Sequence, residues 1–283
     1  MKKYLLIGKN GYIAKQFLNS NIENIQCTTS NINDNDDIYL DLKNPEAFDY
    51  NNIDKDMIVV LLAAISSPDM CLNDYDNSYA INVTGTKYFI EKVLQRKAKV
   101  LFFSSDTIYG ETINEVNEKT AINPLGNYAK MKAEIEKSFV GHTGFKVFRL
   151  SYVLSKNDKY LQYLINCIKN KEIAEVFDPL DRSVIYIKDV VDAIISISHK
   201  WESFSSSIIN LGGESLTSRK NIAEFINENW ADTLKFKIIT PNADFFKARP
   251  RVINMKSLYL NELLEHKPTS VKDAVKYELE GMI

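Results

Sequence analysis

Cysteine is scarce in this 283-residue chain: Cys27, Cys71 and Cys167 are odd in number and widely spaced, matching neither a disulfide framework nor a metal-ligand pattern. A reducing compartment follows, and the cytoplasm is the expected location. Long hydrophobic runs are missing too. After Met1-Lys2-Lys3 the apolar stretch Tyr4-Leu5-Leu6-Ile7 stops at Gly8, too short for a signal core or a membrane span. No membrane partner is expected. There is no excess of one charge either: the formal net charge is −2 and the sequence pI about 6.0, so nothing marks a nucleic-acid-binding surface. Only three histidines occur, His142, His199 and His266, and only six arginines: Arg96, Arg149, Arg182, Arg219, Arg249 and Arg251. An arginine in an anion-binding context therefore carries more information here than a lysine. Repeats and low-complexity linkers are absent.

What is present is alternation. Short apolar runs rich in β-branched residues, at 4–7, 25–28, 57–62, 100–103, 146–150 and 208–210, alternate with helical patterns at 12–18, 78–96, 128–140 and 188–198. This is the signature of βαβ units feeding a parallel sheet, so the expected fold class is α/β with a Rossmann-type, doubly wound sheet. The alternation weakens from about Tyr152. The expected division is a dinucleotide-binding domain at 1–151, with about 185–210 returning to it, and a smaller substrate-binding lobe from 152–184 and 211–283.

Directly after the first apolar run comes Gly8-Lys9-Asn10-Gly11-Tyr12-Ile13-Ala14, a G-x-x-G-x-x-A turn opening a helix. Glycines at 8 and 11 let the backbone approach a pyrophosphate, and the helix amino end offers free N–H donors. Gly8, Asn10, Gly11, Tyr12 and Ile13 are thus candidates for contacting a dinucleotide. The end of the second strand, Cys27-Thr28-Thr29-Ser30-Asn31, carries neither the acid that marks a free ribose hydroxyl nor the cation that marks a 2′-phosphate. Thr28 is a candidate contact, and NAD versus NADP stays open.

A Tyr-x-x-x-Lys pair on one helical turn can protonate an alkoxide, the ammonium lowering the phenol from its ordinary value of about 10. The spacing occurs four times, at Tyr39/Lys43, Tyr88/Lys92, Tyr128/Lys132 and Tyr152/Lys156. Context selects Tyr128/Lys132, which the turn Pro124-Leu125-Gly126-Asn127 delivers onto a first helical turn. The run at 100–103 ends in Ser104-Ser105-Asp106-Thr107-Ile108-Tyr109-Gly110, and a serine at the carboxyl edge of a parallel sheet can hold a substrate carbonyl.

Six segments in order, Gly8 to Ala14, Leu62-Ala63-Ala64, Asn82-Val83-Thr84-Gly85-Thr86, Ser104 to Gly110, Tyr128 to Lys132 and Arg182 to Asp189, resemble the motif series of the extended short-chain dehydrogenases/reductases. That family includes nucleotide-sugar epimerases, dehydratases and 4-ketoreductases of the dehydrorhamnose type. The resemblance, which extends to about Pro250, implies an NAD(P)-dependent enzyme acting on a nucleotide-activated sugar. It implies Ser105 as the carbonyl-orienting hydroxyl, Tyr128 as acid/base, and Lys132 as the residue that binds the nicotinamide ribose and tunes the tyrosine. Asp41, followed by Leu42, resembles the family's adenine-contacting acid, though an acid there can also simply end an extended segment. Leu62, Ala63 and Ala64 would line the cofactor's path, and Asn82 would brace neighbouring backbone. Asp106, Thr107, Arg182 and Arg249 would meet the substrate, the two guanidiniums at its diphosphate. Arg149 is expected to brace the sheet edge. Ser183 stands where the family pattern usually has an acid. A homodimer through the helices at 78–96 and 128–140 is expected because relatives associate that way.

The branch of the family follows from what the site lacks. Dehydratases use a Thr-Asp-Glu run, and Ser105-Asp106-Thr107 lacks the second carboxylate. Deep-pocket epimerases need an added Cys/His or Lys/His pair, and the three histidines fall outside the motifs. Reduction of a 4-keto sugar is the favoured reading, with C4 epimerisation through a transient 4-ketose as the alternative. A cofactor-sensing protein without catalysis would be expected to break the Ser105, Tyr128 and Lys132 set, which is intact.

Overall fold

A computed structural model describes residues 2–34, 37–63, 65–230 and 233–282 of the chain. The first half runs β1 (Tyr4–Ile7), α1 (Tyr12–Leu18), β2 (Ile25–Thr29), β3 (Ile38–Tyr39), β4 (Ile58–Leu61), α2 (Pro68–Asn73), α3 (Tyr75–Tyr79), α4 (Thr86–Gln95), β5 (Lys99–Ser105), β6 (Thr112–Val116), α5 (Gly126–Phe139) and β7 (Phe145–Leu150). The second half continues with β8 (Val153–Leu154), α6 (Lys159–Asn170), β9 (Ala174–Phe177), β10 (Asp181–Ser183), β11 (Ile185–Tyr186), α7 (Ile187–His199), β12 (Ile208–Leu211) and β13 (Leu216–Ser218). It closes with α8 (Arg219–Asn229), β14 (Phe236–Ile239), β15 (Val252–Met255), α9 (Leu260–Leu264) and α10 (Val271–Leu279). Among the described residues, no helix is long and apolar enough to cross a membrane.

Seven strands form one sheet in the order β12-β7-β5-β4-β1-β2-β3, with every pairing parallel. The continuous apolar strands explain this: β1, β4 and β5 are buried along their whole length, so both faces must be covered. α1, α7 and α9 cover one face through Phe17, Ile194 and Leu263; α4 and α5 cover the other through Phe89, Ile90 and Ile135. Phe17 is fully buried, a contribution of about 1.5–3 kcal/mol for a side chain of that size. The strand order reverses between β1 and β4, which opens a crevice outside their carboxyl ends. This is the doubly wound Rossmann arrangement read from the sequence.

One expected helix differs in detail. Instead of a continuous helix over 78–96, the chain forms α3, a wide π turn over Ala80–Gly85, and α4. The Thr86 hydroxyl donates to the Ile81 carbonyl five residues back at 2.8 Å, a side-chain bond that ties the end of the wide turn. Gly85 sits at this turn because the Leu42 carbonyl packs against it; a Cβ there would lie 1.6 Å from that oxygen. The Asn82 amide donates to the Ile65 carbonyl and accepts from its N–H, each at 2.9 Å, so the expected brace is in place.

The second half of the chain builds a separate core around Leu164, Val176, Ile226 and Val275. Two segments cross the expected boundaries. β6, from the first half, joins the four-stranded sheet β13-β10-β15-β6, and α9 buries Leu260, Leu263 and Leu264 in the core of the large sheet.

Candidate active site

The glycine turn sits where β1 ends. Gly8 has φ +93°, and a Cβ on it would lie 2.9 Å from the Ala63 nitrogen at the end of β4, so only glycine lets these two strand ends approach. Gly11 caps α1 with no side-chain bond to the first turn. Asn10 is exposed, Tyr12 half-buried and Ile13 packed under the sheet. These are features a dinucleotide pyrophosphate needs: close backbone and a helix amino end not closed by a side chain. Leu62 and Ala63 lie at the end of β4; Ala64 lies outside the described residues. Thr28 is buried at the end of β2, paired in register with Ile38.

Neither charge sign stands at the end of β2 itself, but the fold supplies both from elsewhere. Lys9 of the glycine turn reaches Asp34 at 3.0 Å and also pairs with Asp37, two acids of the loop after β2. Asp41 accepts from the Lys43 N–H at 2.9 Å, and its carbonyl accepts from the Asn44 N–H at 3.0 Å. One oxygen of its carboxylate thus shapes the turn after β3. Leu42 is buried against Gly85.

β5 delivers Ser105 to the carboxyl edge, where it caps a 3-10 turn over Asp106–Tyr109. Its oxygen accepts from the Thr107 N–H at 3.2 Å and hydroxyl at 2.9 Å, and its own hydroxyl is 3.3 Å from an Asp106 oxygen. Tyr128 and Lys132 stand one turn apart on α5, as expected. The Lys132 ammonium is buried, donates to the Phe103 carbonyl at 2.8 Å, and lies 5.8 Å from the Tyr128 ring centroid. α5 is thereby tied to the strand that carries Ser105.

The electrostatics differ from the simple expectation that the ammonium lowers the phenol. Burial, then the nearby Asp106 and Cys71, hold Tyr128 above the ordinary tyrosine range. Burial also pulls Lys132 down to about 8, against the opposing pull of Cys71 and Glu136. Desolvation dominates both shifts because both groups sit in the same water-poor crevice.

Beside this crevice lies a cavity of about 210 Å³. Thr107, Arg182 and Arg249 line it, as do Tyr152, Arg219 and Phe245, which no sequence motif marks as substrate contacts. Asp106 does not join them. It is buried, accepts from the Ser151 hydroxyl at 3.0 Å and lies 3.6 Å from Arg182, so its carboxylate is already committed within the protein. Arg182 is largely committed too, donating to the carbonyls of Asp181 and Pro250 at 2.7 Å and of Arg251 at 3.1 Å. Arg249 forms a two-pronged pair with Asp69. Arg149 braces the interior, not an edge, because β12 lies outside β7. It bonds Glu136 at 2.7 Å and the Tyr109 hydroxyl at 2.7 Å, clamping α5 to the sheet.

The RmlD substrate binding domain family model matches residues 1–282 of this chain. The chain belongs to that family. The extended short-chain dehydrogenase/reductase membership read from the six motifs holds. A curated relative, a dTDP-4-dehydrorhamnose reductase of Aggregatibacter actinomycetemcomitans, is 22% identical over 225 residues, 77% of this chain and 76% of its own. Among solved structures, a UDP-glucose 4-epimerase of Stenotrophomonas maltophila with bound NAD and formylated UDP-arabinopyranose matches with a TM-score of 0.82 at 14% identity, over 100% of this chain and 98% of its own. A hypothetical dTDP-4-dehydrorhamnose reductase of Sulfolobus tokodaii matches at TM-score 0.80 and 18% identity, over 96% and 98%. A UDP-glucuronic acid 4-epimerase of Bacillus cereus in complex with UDP-glucuronic acid and NAD matches at 0.78 and 19%, over 99% and 98%. At these identities the structural likeness is one of fold, and it spans both the large sheet and the lobe.

Proposed function

We propose that this chain is an NAD(P)H-dependent oxidoreductase of the cytoplasm that reduces a 4-keto group on the sugar of a nucleotide-activated substrate, in deoxysugar or surface-polysaccharide biosynthesis. The observation that carries the reading is the junction of the Lys132–Phe103 tie with the Ser105 turn, beside a cavity lined by Thr107 and arginines. The bound dinucleotide would supply the hydride, with its pyrophosphate at Gly8 to Ile13, its adenosine toward Thr28, Asp41 and Leu42, and its path along Leu62, Ala63 and Ala64.

The protein's own part is to hold and protonate. Ser105 donates to the carbonyl oxygen; its 3.3 Å contact with Asp106 is its longest bond and the one it gives up. Tyr128, kept protonated by burial, gives its proton to the developing alkoxide. Lys132 is the adjacent cation for the phenolate left behind and the hydrogen-bonding group for the ribose. Arg182 and Arg249 line the cavity that receives the diphosphate, and two copies of the chain associate through the faces of α4 and α5.

The test is NAD(P)H oxidation with a panel of nucleotide 4-keto sugars, using wild type and Tyr128→Phe. Turnover should fall at least about 10²-fold in the variant, while cofactor affinity stays within a few-fold. Near-wild-type turnover in Tyr128→Phe would overturn the assignment. C4 epimerisation is the second reading, favoured by the whole-chain likeness to the two 4-epimerases. Product analysis separates the two, because an epimerase converts its substrate with no net consumption of cofactor.

A further inference from the structure

Three arginines line the cavity beside Thr107, and they are not equivalent. The Arg182 guanidinium is spent on three backbone carbonyls and faces Asp106, while that of Arg249 is neutralised by Asp69. Arg219 differs. Its guanidinium carbon lies 4.7 Å from the centroid of the Tyr160 ring, and among the described residues no carboxylate lies within ion-pair distance of it. One positive charge in the cavity is therefore left without an acidic partner.

The placement of that charge is built. Arg219 is the first residue of α8, an eleven-residue helix whose start is set by a reciprocal cap between Ser218 and Asn221. The Tyr160 hydroxyl donates to the Arg219 carbonyl at 2.9 Å, so one tyrosine holds the backbone with its oxygen and the guanidinium with its ring. The helix amino end adds a partial positive charge on the same side as Arg219. Arg182 and Arg219 are also close enough for the charge of the second to disfavour the charge of the first. Two guanidiniums beside one void oppose each other unless an anion lies between them, and a guanidinium presents paired donors suited to phosphate oxygens.

Building on the function proposed above, we infer that Arg219 is the principal anion-binding residue of this cavity and takes the diphosphate of the nucleotide-activated substrate. Arg182 then serves chiefly to position the cavity wall, and Arg249 must leave Asp69 before it can contribute.

The experiment is calorimetric titration of the full-length protein with UDP, dTDP, GDP and ADP in turn, each challenged with inorganic pyrophosphate as competitor. Wild type, Arg219→Gln and Arg219→Lys are compared, and NADH and NADPH titrations run on all three. Wild type should bind at least one of the four nucleotides in competition with pyrophosphate, Arg219→Gln should weaken that binding tenfold or more, and Arg219→Lys should retain part of it. Cofactor affinity should stay unchanged in both variants, which also reports that they are folded. Nucleotide binding by Arg219→Gln within twofold of wild type overturns the inference and leaves the proposed function standing. If wild type binds cofactor but none of the four nucleotides, both the inference and the nucleotide-sugar half of the proposed function fall. If wild type binds a nucleotide but neither cofactor, the oxidoreductase reading falls and the inference is judged on Arg219→Gln alone.

Discussion

Lys132 offers the most direct test of the active-site electrostatics. Its ammonium is buried, has one hydrogen bond to the Phe103 carbonyl at 2.8 Å, and titrates at about 8 in place of the ordinary 10.5. Each pH unit between those two values is worth about 1.4 kcal/mol, so holding the proton in the folded state costs about 3 kcal/mol. The sign follows from proton counting. Between about pH 8 and 10.5 the unfolded chain keeps a proton on this lysine that the folded chain has released, so stability rises with pH across that window. The destabilisation is fully present below pH 8 and disappears above 10.5. Lys132→Met keeps the aliphatic stem and removes the titration. In urea unfolding of both proteins, wild type should gain about 2 kcal/mol on the variant between pH 7 and 9.5, other titrations cancelling in the difference. A difference that stays flat within about 0.5 kcal/mol across that range would refute a desolvated ammonium at this position.

Two further outcomes test the scaffold. Asn82→Ala removes both hydrogen bonds to Ile65 and leaves its N–H and carbonyl unpaired, so it should cost about 2–4 kcal/mol in chemical denaturation; a loss under 1 kcal/mol would mean water replaces the amide readily. Arg149→Met strands the Glu136 carboxylate and should cost about 3–5 kcal/mol, most of it recovered in the double variant Arg149→Met/Glu136→Leu. Additive losses in that double variant would show that the pair is not coupled.

Parallel-sheet strands buried on both faces are largely apolar, with Lys146 and Arg149 of β7 as buried exceptions, and the helices between them are amphipathic. The chain therefore announces β1, β4, β5 and β7 and the helices that cover them through local pattern alone. The glycine turn and the Tyr128/Lys132 spacing were legible for the same reason: each is a contiguous segment whose geometry depends on few distant contacts. The internal strands of the expected lobe were not legible, because they are short and pair across long separations. β6 meets β15 over more than a hundred residues of chain, and α9 returns to the large core from the far end.

Charge was the other matter that only the tertiary structure decided. Six arginines were visible as a scarce resource, yet their roles depend on which acids and carbonyls the fold brings beside them. Asp106 reads as a substrate contact in the linear motif, and it is consumed by Arg182 and Ser151 once the lobe packs against β5. Lys9 acquires Asp34 and Asp37 in the same way. Arg219, which no motif picked out, ends up the cavity arginine without an acidic partner among the described residues. Backbone pattern is a local property of a sequence, whereas the state of a charge is set by its neighbours and its access to water, and both are fixed only when distant segments meet.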